Sequence, residues 1–175
     1  MTVDLAREAL SDAAWRGRGI YSARVVEPGA LSWRWPYQLT VRLPDIGSKL
    51  TLETEGEEPE WLMPVFSALS ELLALAANWD SYGAPSVDPM SVASALEALS
   101  WVMRSDTIVP TVVPTVEGGV QLEWHTRGID LEIEVSPPGR SYVCFYDRQG
   151  DAQWEGELRF NLSRLQDVVL RLSRR

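Results

Sequence analysis

Two long stretches of the chain place an apolar residue at every second position. In the first, Leu31, Trp33, Trp35, Tyr37, Leu39, Val41 and Leu43 are all odd-numbered, and Ser32, Arg34, Gln38, Thr40 and Arg42 fill the even positions. A period of two marks a strand with one buried face. Pro36 interrupts this ladder, so an edge strand, a bulge or a break is expected there. Ahead of it stand "IYSARVV" and the turn "EPGA"; behind it "PDIGSK" reverses the chain and "LTLET" returns it. This part reads as a small antiparallel sheet. A short helix capped by Thr2, with Val3, Ala6, Leu10 and Ala13 on one face, is predicted before it.

The second stretch covers 119–135, "GVQLEWHTRGIDLEIEV". A two-residue turn at Arg127–Gly128 pairs Trp124 with Leu131, Leu122 with Ile133 and Val120 with Val135. An odd loop would set Trp124 against Asp130 and mix the faces, so the even loop is predicted. Ahead of the hairpin, "TIVPTVVPTV" carries Pro110 and Pro114 and suits an edge strand. After it, "SYVCFY" and "AQWEGEL" follow the turns "SPPGR" and "DRQGD". A meander results.

Between and after the strands the apolar spacing changes to three and four. Val65, Leu69, Leu72, Leu73 and Ala76 form one stripe, widened by Phe66 and Leu75, and "EPEWLMP" puts its prolines where a first helical turn tolerates them. Asp88 followed by Pro89 is an N-cap and first-turn pair for a second helix, with Val92, Leu96, Leu99 and Met103 on one face. A last helix turns Leu162, Leu165, Val169 and Leu172 inward. The predicted class is α+β: antiparallel meander hairpins packed against a central helix pair and a C-terminal helix. One domain over 1–175 is expected, with 1–56 as a β-rich part and 57–175 as the possible subdivision.

Composition changes this picture little, but charge does. The net charge is −9, yet residues 1–50 hold seven basic and five acidic groups, whereas 51–100 hold nine acidic groups and no basic one. That field repels phosphate backbones and weighs against nucleic acid as a ligand. It suits a partner protein with a basic or arginine-rich surface, and Glu55, Glu57 and Glu58 lead the acidic segment. No stretch has the length of a membrane span, and the lone Cys144 forms no internal disulfide. A cytoplasmic protein is expected. Nothing in the sequence points to a cofactor or a metal, or decides the oligomeric state.

Three features carry chemistry. The predicted hairpin sets His125 beside Asp130, Glu123 beside Glu132 and Gln121 beside Glu134 on its polar side. Opposed like charges are locally unfavourable, so an arginine, a cation or a basic partner is expected to compensate. Glu123, His125, Asp130 and Glu132 are the residues of an alternative reading, a metal-assisted hydrolase. The second feature is "NWDSYGAPSVDP". Asn78 can end a helix left-handed, Asp80 can form an Asx-turn and Gly83 gives an unusual backbone. Trp79 and Tyr82 are expected to pin this loop into the core; its functional reading is a recognition loop displaying Asp80 and Tyr82. The third is a surplus of tryptophan, eight in 175 residues. Some must sit partly exposed, and Trp33 and Trp35 on an edge strand are the candidate contact patch.

"NWDSYGAP" and "VVPTVEGGVQLEWHTRGIDLEIEV" together resemble a family of uncharacterised bacterial proteins that share an N-W-D-x-Y-G-A turn and a G-G-V-Q-L-E-W strand. The likeness spans roughly residues 76–146. It implies a bacterial or phage origin and transfers no catalytic residue. The expected function is a protein-binding module without catalysis of its own, as antitoxin, immunity, adaptor or phage-defence proteins are.

Overall fold

The computed structural model describes the backbone of strands at 24–27, 30–34, 38–42 and 51–55, and then residues 58–173. The first four strands, β1 (Arg24–Glu27), β2 (Ala30–Arg34), β3 (Gln38–Arg42) and β4 (Thr51–Glu55), form an antiparallel sheet in chain order. The long apolar ladder is divided between β2 and β3, which pair antiparallel with Leu31 opposite Val41 and Trp33 opposite Leu39. β2 is therefore an interior strand, flanked by β1 and β3, and not the expected edge. The reason is β1, which pairs along β2 from Glu27 opposite Ala30 to Arg24 opposite Ser32. The expected helix from Thr2, Trp35 and Glu57 lie outside the described residues, as do the side chains of Trp33 and Glu55.

The core belongs to the second half. Strands β5 (Thr111–Pro114), β6 (Val120–Thr126), β7 (Ile129–Ser136), β8 (Arg140–Asp147) and β9 (Ala152–Glu157) form a five-stranded antiparallel meander. Helices α1 (Leu62–Leu73), α2 (Pro89–Val102) and α3 (Leu158–Leu172) complete an α+β fold. α2 lies against β6, β7 and β8, α3 against α2, β8 and β9, and α1 against β5 and α2. β5 is an edge strand, as its prolines require.

The hairpin takes the predicted register, Trp124 opposite Leu131, Leu122 opposite Ile133 and Val120 opposite Val135. Arg127 and Gly128 both have positive φ, 53° and 75°, the geometry of a two-residue turn whose twist matches its strands. One inward row then runs Trp124, Leu131, Phe145, Trp154 across four strands, and Phe145 stacks on Trp154 at 5.5 Å. Leu122, Leu131, Ile133 and Val143 are fully buried beneath α2 and α3. Trp124 places its indole N–H on the Ile108 carbonyl at 2.7 Å, which satisfies the one polar atom that it buries.

The helices begin where their sequences say, but α1 ends early. Asp88 accepts the Met90 amide at 3.0 Å as the N-cap of α2, with Pro89 next. α1 stops at Leu73, with Ala74 as its C-cap, so Ala76 is exposed rather than part of the stripe. Asn78 is left-handed, φ 66°, but it works inside the following loop and not as the helix end. Val92, Leu96, Leu99 and Met103 are buried as expected, and Ala93, Ala95 and Ala98 bring α2 close to its neighbours.

Leu131 lies at the crossing of the hairpin and α2 and has no exposed surface. Leu131→Ala should lower the free energy of unfolding by about 2–5 kcal/mol, read from the urea midpoint at unchanged slope.

Candidate functional site

The polar side of the meander is a checkerboard fixed by the same register. One row reads Glu123, Glu132, Cys144, Glu155 from β6 to β9. The next reads His125, Asp130, Tyr146, Gln153, and a third reads Gln121, Glu134, Tyr142, Glu157. A groove of about 600 Å³ runs along β7, β8 and β9, walled by Asp130, Glu132, Tyr146, Gln153 and Glu155 with Cys144 in its floor. The groove is shallow and open, and two of its three strands lie beyond the hairpin.

Compensation of the opposed charges is graded across this face. Asp130 is fully engaged: Arg148, just beyond β8, grips both oxygens at 2.6 and 2.7 Å, and His125 Nδ1 stands 2.9 Å from Oδ1. The arginine and then the imidazole hold the Asp130 carboxyl down to about 2. His125 shifts upward, chiefly through its hydrogen bond to Asp130, and its Nε2 lies 3.5 Å from Glu123. Gln121 donates to Glu123 at 3.0 Å and to Glu132 at 3.2 Å, spacing the two carboxylates with one amide. Glu132, Glu134 and Glu155 have no arginine partner among the described residues.

This arrangement limits the chemistry available. Both oxygens of Asp130 are engaged and its pKa is held down, so it is a poor proton acceptor near neutral pH. Burial and then the surrounding glutamates push the Cys144 thiol upward, away from the reactive thiolate. Among the described residues, no group of three His, Cys, Asp or Glu side chains is placed to hold a metal ion. No described helix is long and apolar enough to cross a membrane. Elsewhere, burial alone pushes the Glu97 carboxyl on α2 up to about 7.

The "NWDSYGAP" loop is a second, separate structure. Asp80 Oδ1 accepts the amides of Tyr82 at 2.8 Å and Ala84 at 3.0 Å, the expected Asx-turn, and those amides hold its pKa down. Asn78 Oδ1 accepts the Gly83 amide at 2.8 Å, and Trp79 donates to the Pro85 carbonyl at 3.2 Å. Asn78, Ser81 and Gly83 all have positive φ. The expectation that Tyr82 anchors the loop in the core is wrong: its side chain is 94% exposed. The loop's own hydrogen bonds replace the anchor. Trp79 is half-buried, Asp80 faces its own backbone, and Glu58 is exposed on the far side of α1 in sequence.

The carboxylate and histidine row, Glu123, His125, Asp130 and Glu132, is brought together as predicted. The Tyr82 loop is not part of it. Arg148, Tyr142, Tyr146 and Glu155 were not singled out by sequence. Counting the meander register through "SPPGR" and "DRQGD" would have placed the strand residues, whereas Arg148 acts from a turn that has no parity. Of the tryptophans, Trp61 and Trp124 are buried and Trp79, Trp101 and Trp154 are half-buried, so part of the expected exposure is present. A scan of protein-family models, a search of curated proteins and a search of solved structures each find no match to the chain.

Two outcomes follow from this geometry. The His125–Asp130 contact contributes stability fully below the ordinary histidine value, and loses it as pH rises through the raised one. For Asp130 the contribution is present above its ordinary value of 3.8 and is lost as pH falls through about 2. The His125 ring protons should therefore titrate above 6.5 by NMR and shift back down in Asp130→Asn. Tyr82→Ala should change unfolding free energy by less than about 0.5 kcal/mol, since the ring touches little, as a urea titration will show.

Proposed function

We propose that this protein is a protein-binding module, without catalysis of its own, whose acidic sheet face docks a basic or arginine-rich partner. This is the action of an antitoxin, immunity, adaptor or phage-defence protein. The carrying observation is the row Glu123, Glu132, Cys144, Glu155, in which three carboxylates stand on successive or next-nearest strands without an arginine. Folding alone does not favour that arrangement, because opposed like charges cost some tenths of a kcal/mol each. A basic partner relieves the cost on binding and is steered there by the field. Tyr142 and Tyr146 stand among the carboxylates, 41% and 39% exposed, and supply aromatic contact area.

The test starts with affinity capture from the native host, followed by rate measurements on the identified partner. Glu132→Lys with Glu155→Lys should slow association by roughly ten-fold or more, and the difference should shrink at high salt. Unchanged association by a folded double variant would overturn the reading. In the free protein, Glu132→Gln should raise stability slightly by removing its opposition to Glu123.

A further inference from the structure

We infer that the outer edge of β9 accepts an extended segment of a partner as a sixth strand, and that this segment alternates basic and apolar residues. The inference deepens the binding function proposed above and rests on it for the basic character of the partner. The two edges of the meander are built differently. β5 has four residues, ends in Pro114 and packs against α1. β9 has six residues and pairs with β8 alone. At its C-terminal end the Asn161 side-chain amide donates to the Glu157 carbonyl at 3.0 Å and lies against Gly156. Along 152–155 no backbone hydrogen bond among the described residues joins its other side. Ala152, Gln153, Glu155 and Glu157 are exposed, so the edge is open to solvent. An unpaired strand edge is a template for another strand unless something blocks it.

The side chains state which strand fits. On the polar side β9 presents Gln153 and Glu155, which line the groove with Asp130 and Glu132, and then Glu157, which Arg159 already pairs at 2.6 Å. Alternate residues of an added strand stand over that side, where arginine or lysine stems can lie along Tyr146 and reach the carboxylates. The other residues of the strand fall on the side of the half-buried Trp154, which favours an apolar side chain there, whereas the Asn161 amide already fills the space over Gly156. A second copy of the chain is the poorer occupant. Antiparallel pairing of β9 with β9 centred on Glu155 sets that glutamate against its copy, a repulsion that discourages this register of self-pairing and admits a basic strand.

The experiment uses the full chain and a synthetic peptide of roughly ten residues alternating arginine and valine. With ¹⁵N-labelled protein, amides of 152–157 should gain exchange protection and show cross-strand contacts to the peptide. Methylating alternate peptide nitrogens on the paired side should weaken binding by roughly ten-fold or more, because it removes ladder donors and leaves the charge intact. Glu155→Lys with Glu157→Lys, checked for an unchanged fold by its NMR spectrum, should weaken it comparably. Equal binding of the methylated and unmethylated peptides overturns strand addition. If Glu132→Lys then still abolishes that binding, the acidic-face reading survives. Failure of the unmethylated peptide to bind at all overturns strand addition too, as does a concentration-dependent dimer in sedimentation that the Glu155 and Glu157 reversals strengthen. In either case, loss of the native partner by Glu132→Lys with Glu155→Lys separates the two ideas.

Discussion

The register of the β6–β7 hairpin is the constraint on which the rest of this fold depends. Side chains alternate across a strand, so a slip of one residue would send Leu122, Trp124, Leu131 and Ile133 to water and bring Glu123, Asp130 and Glu132 inward. Two left-handed residues, Arg127 and Gly128, forbid the slip by closing the turn in two residues. The turn also holds the far end of the molecule. Arg127 donates to the carbonyls of Arg171 at 3.0 Å and Ser173 at 2.8 Å, where α3 has run out of intrahelical donors. Arg171 in turn reaches Asp147 at 2.7 Å, and the Arg148 amide bonds Gly128. One two-residue turn thus fixes a strand register and caps a helix.

The same register creates the problem that the polar face must manage. Putting every apolar residue of the hairpin inside leaves Glu123 opposite Glu132 and His125 opposite Asp130. At the turn end the charges are neutralised, by Arg148 and by an imidazole whose proton Asp130 favours. Further along only the neutral amide of Gln121 intervenes, and on β7 and β9 the carboxylates of Glu134 and Glu155 meet no arginine among the described residues. Glu157 at the end of β9 is paired with Arg159 at 2.6 Å, so the uncompensated carboxylates are those in the middle of the face, Glu132, Glu134 and Glu155. On a face whose charge is settled at the turn and at the end of β9, that open middle is where a cation gains most.

How much of this was legible in the sequence follows from which interactions have a period. Alternation named the hairpin partners to the residue, because burial of seven apolar side chains permits one register only. The Asp88–Pro89 pair named the start of α2, since capping is a local event. Alternation was silent on neighbours: β2 reads the same at an edge or in the interior, and only the upstream turn decides. Arg148 was invisible for the same reason, lying in a turn where no face is defined. Asn78 was assigned to the wrong task because a left-handed asparagine suits a helix end and a tight loop equally, and α1 had already closed at Ala74 through backbone bonds. The groove needed three strands, β7, β8 and β9, in register at once, more than any single motif encodes.

The Tyr82 loop sharpens the distinction between residues kept for folding and residues kept for contact. Left-handed conformations at Asn78 and Ser81 cost roughly 1 kcal/mol each relative to the ordinary backbone. Two side-chain oxygens and a tryptophan indole hold the loop against that cost. The loop as a whole lies at the surface, and Tyr82, at 94% exposure, returns almost no burial to the fold. A loop that only needed to connect α1 to α2 has cheaper solutions, such as a single glycine turn. A rigid loop presenting one aromatic ring to water has already surrendered the backbone entropy that binding would otherwise demand. Under the proposed binding function that preorganisation would act in the same way as the uncompensated carboxylates: each is a local cost in the isolated chain that a partner's surface would remove.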